Sequence, residues 1–145
     1  MNRTAFTFSF QLRVRWAEVD RQDVVFNGNY FTYFDVAIAE YWRAVGIAYP
    51  DGYVDTYGTD IYAVKASAEF VGSARYDQLL DIGCRVARIG RSSMTFAQAI
   101  WFNDTLLTTG ELVYVNADPH SRKSVPWPAP FKARLIEFER TPPAL

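Results

Sequence analysis

The chain opens on its plainest alternation: Phe6, Phe8, Phe10, Leu12, Val14 and Trp16 are apolar, and Thr7, Ser9, Gln11, Arg13 and Arg15 between them are polar. A period of two puts each set on its own face of an extended segment, so residues 5–16 are predicted to form a strand with one apolar face. The pattern breaks over 17–28, where Asn27-Gly28 signals a turn. A helical stretch follows at 30–45, and Gly46 stands where a glycine commonly closes a helix. Asn29 is predicted as its N-cap, because its side chain can accept from an unpaired backbone N–H. Tyr30, Phe31, Tyr33, Phe34, Val36, Ile38, Tyr41, Trp42 and Val45 run nearly all round this helix. Such a helix is expected to be buried on most sides, with the rest of the chain wrapped around it.

A loop is predicted at 47–60, punctuated by Tyr49-Pro50-Asp51-Gly52. Four strand-like runs come next, at about 61–73, 78–90, 93–103 and 106–117. Ile89-Gly90-Arg91-Ser92 and Asn103-Asp104 read as tight hairpin connections. Pro130 suits the start of a short last helix with Phe131, Leu135 and Phe138 at helical spacing. A strand, a long helix and a four-strand meander make an α+β domain with an antiparallel sheet curled around one central helix. A length of 145 residues predicts one domain over 1–145.

Composition narrows the chemistry. Aromatic residues are 17% of the chain, against one histidine, His120, and one cysteine, Cys84. A lone cysteine forms no intrachain disulfide, and the pair forms no Cys/His zinc site. A histidine-dependent triad would have to run through His120, which sits in the turn Asp118-Pro119-His120-Ser121. Cys84 alternates with Ile82 and Val86 and reads as core. With 15 Lys+Arg against 16 Asp+Glu, the net charge of −1 gives no electrostatic case for nucleic acid or an anionic membrane. No signal-peptide core follows Met1 and no apolar run is long enough to span a bilayer, so a soluble cytoplasmic protein is expected.

Chemistry has its best place in the break at 17–29. Asp20 follows a strand in a segment that leads to a helix N-terminus. Unpaired N–H groups and the helix dipole at such an end can hold a developing oxyanion. A carboxylate beside them can act as nucleophile or general base, which together suffices for acyl transfer. Read as turn chemistry instead, Asp20 and Asp23 are turn or capping residues. Arg88, Arg91, Ser92 and Ser93 form a second cluster. Guanidinium groups grip phosphate with paired hydrogen bonds, and the alternative there is a solvated hairpin tip. Arg122 and Lys123 are left open between phosphate and solvent, Glu69 on its strand between a partner subunit's site and solvent, and the tyrosines Tyr53, Tyr57 and Tyr62 between an aromatic-friendly pocket and packing.

The stretch from Arg13 to Asp35 resembles the signature of the 4-hydroxybenzoyl-CoA thioesterase family, acyl-CoA thioesterases of the hotdog fold. Asp20, Val24-Val25 and Asn29-Tyr30 carry the likeness, and Arg88-Ile89-Gly90-Arg91-Ser92-Ser93 is similar to the family's second hairpin. The resemblance implies hydrolysis of an acyl-CoA thioester. It implies Asp20 as the catalytic carboxylate and the backbone N–H at Asn27 as oxyanion donor. Gly28, Asn29, Tyr30, Arg88, Gly90, Arg91 and Ser92 are then expected to bind substrate. It implies no metal and no cofactor beyond the coenzyme A of the substrate, and a homodimer or homotetramer whose sites form between subunits. Two positions depart from the family pattern: Asp23 stands where a small residue, often Gly, is usual, and Asn27 where His or Tyr is common. They motivate an alternative, a non-catalytic acyl-CoA or acyl-carrier binding protein of the same fold.

Overall fold

The computed structural model describes residues 2–145. Strand β1 spans Phe8–Arg13, helix α1 Asn29–Val45 and helix α2 Asp51–Tyr57. Strands β2 (Asp60–Phe70), β3 (Leu79–Ile89), β4 (Ser93–Phe102) and β5 (Thr105–Ala117) follow, and helix α3 (Ala129–Phe138) comes last. The five strands form one antiparallel sheet in the order β1-β3-β4-β5-β2. β2 therefore lies at one edge and β1 at the other.

The strand alternation gives the sheet its two faces. Leu80, Ile82, Cys84 and Val86 of β3 and Met94, Phe96, Gln98 and Ile100 of β4 are buried, and the apolar residues among them join the core under α1. Tyr41 of α1 meets the rings of Phe8, Phe96 and Phe138 edge-on, with centroids 5.4–5.9 Å apart. Gly110 of β5 leaves room for Phe34; a Cβ there would collide with that ring. The aromatic excess is thus the material between helix and sheet. Losing one such ring, as in Phe96→Ala, costs about 3–5 kcal/mol in comparable cores.

Four expectations change. The strand predicted to Trp16 ends at Arg13. Trp16 begins a 3-10 turn, Trp16–Glu18, and is 73% exposed. Phe6 precedes a bend at Thr7 and joins Ala99 and Trp101 in a small separate cluster, so it does not share the face of Phe8 and Phe10. The loop predicted at 47–60 contains α2: Pro50 and Asp51 suit a helix start, and Gly58, at φ 70°, closes it. Finally, α1 is not wrapped on most sides by its own chain. Its buried residues form one stripe, from Tyr30, Tyr33 and Phe34 to Tyr41, Trp42 and Val45, while Thr32, Asp35, Ala39 and Arg43 are exposed.

Other expectations hold. Gly46 closes α1 at φ 86°. Cys84 is fully buried. Both hairpins form, and Phe131 and Leu135 of α3 are buried against the core. No helix among the described residues is long and apolar enough to cross a membrane.

Candidate active site

Between β1 and α1 the chain makes a short loop pinned at its base. Val19 and Val25 form an antiparallel bridge, the Asp20 N–H donates to the Val24 carbonyl at 2.8 Å, and the Val25 N–H donates to the Ala74 carbonyl at 2.9 Å. Asp20 Oδ1 accepts the Gln22 N–H at 2.7 Å, which closes the turn. Oδ2 accepts no hydrogen bond among the described residues. Asp20 is half-buried and lines a cleft of about 410 Å³ together with Trp16, Val19, Asp23, Arg75 and Tyr76. The rings of Trp16 and Tyr76 meet edge-on at 5.0 Å on its rim.

Asp23 has φ +62°, in the left-handed region. That conformation is cheapest for glycine and tolerable for aspartate. It gives a physical reason for a small residue at this place in the loop. Arg21, Gln22 and Asp23 are all exposed.

The loop leads into α1 through Phe26, Asn27 and Gly28. Gly28 is the N-cap, without a side-chain cap, and Asn29 is already helical. Asn29 therefore does not cap as predicted. Its Nδ2 instead donates to the Glu18 carbonyl at 2.9 Å, an acceptor that the turn before Asp20 holds out to it. Asn27 and Gly28 are exposed residues, and their N–H groups donate to no backbone or side-chain acceptor among the described residues. They are the kind of free donors that a helix start offers an anion. Tyr30 is buried beneath them, and its hydroxyl accepts the Ala74 N–H at 2.9 Å. Asn27, Gly28, Asn29 and Tyr30 thus lie at one helix start, and Asp20 lies in the short loop that leads into it.

Arg88, Gly90, Arg91 and Ser92 lie elsewhere. Leu79, at the start of β3, pairs with Arg13 beside the Asp20 loop, whereas the hairpin sits past Ile89 at the strand's other end. Ten residue steps of strand separate them by about 33 Å. The hairpin is clasped: Gly90 N–H donates to the Ser93 carbonyl at 2.8 Å, Asn116 N–H to the Ser92 carbonyl at 2.9 Å and Trp127 N–H to the Arg91 carbonyl at 3.0 Å. Arg88 and Arg91 are exposed and make no ion pair among the described residues. A single chain does not bring them to Asp20. His120 is exposed, and its backbone N–H donates to Asp118. No cluster of metal-binding side chains occurs among the described residues.

Trp16, Arg75 and Tyr76 of the cleft, and Arg15, Glu18 and Tyr33 behind it, escape the sequence reading. Trp16 and Arg15 were absorbed into the strand alternation. Nothing in a linear sequence says that loop 71–78 folds against loop 17–29.

A meander sheet packed on one long helix, with a carboxylate loop at the helix start, defines a hotdog-fold domain. The chain belongs to the thioesterase superfamily, whose family model matches residues 22–109, more than half of the chain. The matched stretch begins two residues after Asp20. A putative esterase from Aquifex aeolicus is 27% identical over 97 residues, covering 67% of this chain and 74% of its own. The acyl-CoA thioesterase YbgC of Haemophilus influenzae is 25% identical over 126 residues, covering 87% and 92%. Among solved structures, a Staphylococcus aureus protein in complex with CoA superposes with a TM-score of 0.82 at 13% identity, covering 95% of this chain and 87% of that one.

Proposed function

We propose that the protein hydrolyses an acyl-CoA thioester to the free acid and coenzyme A. One observation carries the reading: an open carboxylate oxygen on Asp20 and two unpaired N–H groups at the start of α1 belong to the same short, pinned loop. The thioester carbonyl lies with its oxygen toward the Asn27 and Gly28 N–H groups. The Asp20 carboxylate takes a proton from water as the water oxygen adds to the carbonyl carbon. The N–H groups and the helix dipole hold the oxyanion. Its collapse breaks the C–S bond, and the leaving thiolate takes up a proton. Direct attack by Asp20 is the other route, through a mixed anhydride that water then opens. Neither needs histidine, cysteine or a metal.

The site is shared between two copies. Strand β2 is an open edge eleven residues long, with Val64 60% exposed. Long open edges are pairing surfaces. The Phe70 end of β2 lies beside Tyr30 at the start of α1, and the Asp60 end beside Tyr49 beyond its finish. Antiparallel pairing of β2 with a second β2 sets the partner's Asp60 end next to this chain's Asp20 loop. The partner's hairpin end, with its arginines, then falls on the side where the coenzyme A phosphates extend. A hollow of about 470 Å³, walled by Ile38, Trp42, Tyr49, Ile61 and Tyr114, flanks α1 on the β2 side and offers apolar walls for the acyl group.

Thiol release from a panel of short, long and aromatic acyl-CoAs tests this. Wild type is expected to turn over at least one, and Asp20→Asn to lose about 10²–10⁴-fold in kcat. An Asp20→Asn enzyme as fast as wild type sinks the mechanism. Coenzyme A binding without any turnover makes the protein a binder of the same fold. Turnover of the aromatic members alone would support the 4-hydroxybenzoyl-CoA branch that the motif at 13–35 resembles.

A further inference from the structure

The buried carboxylate nearest the proposed site is Glu18, two residues before Asp20. Its Oε1 accepts the Arg15 backbone N–H at 2.7 Å and the Tyr33 hydroxyl at 2.9 Å. Its Oε2 accepts Arg15 Nε at 3.0 Å and also Arg15 Nη2. The backbone carbonyl of the same residue accepts the Phe26 N–H at 3.0 Å and Asn29 Nδ2 at 2.9 Å. One residue therefore ties four segments: the chain leaving β1, the base of the Asp20 loop, the start of α1 and its second turn.

The two halves of the proposed site hang from this joint. Asp20 is two residues past Glu18. Asn27 and Gly28 lie between Phe26 and Asn29, the two residues held by the Glu18 carbonyl. We propose that Glu18, clamped by Arg15 and Tyr33, is a positioning residue that fixes the Asp20 carboxylate relative to the Asn27 and Gly28 N–H groups. This role rests on the reading of Asp20 given above.

A buried carboxylate suits the task. An apolar contact resists separation but leaves direction and rotation loose. A carboxylate with donors on both oxygens is fixed in direction as well as distance. Burying it unpaired would be costly, and Arg15, reaching in from the surface, supplies the opposite charge. Tyr33 adds a donor from the rigid body of α1, so the helix itself sets where the loop sits. A displacement of about 1 Å in a reacting group can lower a rate about 10²-fold.

The test is a set of four full-length variants, assayed on whichever acyl-CoA the panel shows to be turned over. Glu18→Gln keeps the shape and loses the charge. It is expected to lower kcat about 10–100-fold while KM moves by less than about threefold. Tyr33→Phe keeps the packed ring and loses one donor, and is expected to lower kcat about three- to tenfold. It stands as the test should Glu18→Gln fail to fold. The deciding measurement is the double variant Glu18→Gln with Asp20→Asn. If Glu18 acts by placing Asp20, it adds little to the loss already caused by Asp20→Asn. Equal proportional losses in both backgrounds would show a merely structural role and overturn the proposal. Wild-type kcat in both Glu18→Gln and Tyr33→Phe would overturn it as well. An Asp20→Asn enzyme as fast as wild type removes this role together with the mechanism, and is told apart by that variant alone.

Discussion

Each end of the sheet is held by a buried glutamate, and the two are held differently. At the Asp20 end, Glu18 is filled by donors and faces a guanidinium. At the other end, Glu139 follows α3. Its Oε2 accepts the Tyr41 hydroxyl at 2.6 Å and the Val86 N–H at 2.8 Å, the latter where β3 bulges. Among the described residues its Oε1 is buried without a partner, and so is Nη1 of Arg85, the residue before Val86. Burial raises a carboxyl pKa at both sites. At Glu18 the Arg15 and Tyr33 hydrogen bonds outweigh burial, and the pKa is lowered. At Glu139 burial prevails and the pKa is raised. The loops beside them differ in the same sense. The first opens to solvent with free donors. The second is strapped down by the tail, where Ile89 N–H reaches the Ala144 carbonyl at 2.8 Å and Ala144 N–H reaches the Ala87 carbonyl at 2.9 Å. One end keeps a charge in place beside an open cleft; the other closes the fold. A reaction that needs both ends needs two chains, because one chain holds them a strand's length apart.

The severest test of that comparison breaks the proposed edge between two copies. Val64→Lys, at the bulge of β2 where the side chain is 60% exposed, disturbs little of the chain's own packing and sets two like charges near each other in a β2–β2 pair. The particle mass by sedimentation is expected to fall to that of one chain. Activity should drop about tenfold or more, because each Asp20 loop loses the partner's hairpin end. A monomer with full activity would show that one end of the sheet suffices.

A milder test asks only what the hairpin end contributes. Arg91→Ala is expected to raise KM for acyl-CoA about three- to tenfold with kcat within about twofold, as loss of one partly solvated charged hydrogen bond to phosphate should. The corresponding acyl-pantetheine, which lacks the nucleotide, should show no difference between the two proteins. A fall in kcat with unchanged KM would move Arg91 from binding to chemistry.

Much of this was legible in the sequence where a pattern is local. Alternation and turn signals located the five strands, Gly46 ended α1, and Asp20 stood out because a polar break between a strand and a helix is where unpaired groups accumulate, whereas Asn27 entered through the family resemblance. What stayed hidden depends on contacts between distant segments. Asn29 reads as a cap, and only the Glu18 carbonyl, brought up by the 3-10 turn, redirects its side chain. Trp16 continues the alternation of β1, yet the strand ends three residues earlier and leaves its ring in solvent. The helix reads as apolar nearly all round because Phe31 and Val36 count as much as Tyr33 and Phe34 in a linear list. The sheet decides which of them are buried. Arg88 and Arg91 sit at a hairpin that sequence order places correctly, but no sequence pattern shows that the length of β3, about 33 Å, runs between it and the strand end beside the Asp20 loop.

The smallest expected effect compares the two glutamates directly. A carboxyl whose folded pKa is raised binds its proton more tightly when folded than when unfolded. Glu139 therefore stabilises the fold most below the unfolded value, and that contribution is lost as pH rises through the folded value. Glu18, with a lowered pKa, contributes in the opposite sense. Its stabilisation is present above the unfolded value and is lost as pH falls through the folded one. Glu139→Gln keeps an oxygen for the Tyr41 hydroxyl and the Val86 N–H and removes the titration. Relative to wild type it should be least favoured near pH 4 and should gain as pH rises, by at most about 1.4 kcal/mol per pH unit for a single group. Glu18→Gln should run the other way, losing ground against wild type as pH rises through the folded value to the unfolded one, and holding level above it. Denaturant melts of the three proteins from about pH 3 to about pH 7, on both sides of the unfolded glutamate value, read both slopes. If the two variants drift in the same direction, Arg15 is not what separates the two ends, and the contrast between a charged clamp and a closed one fails.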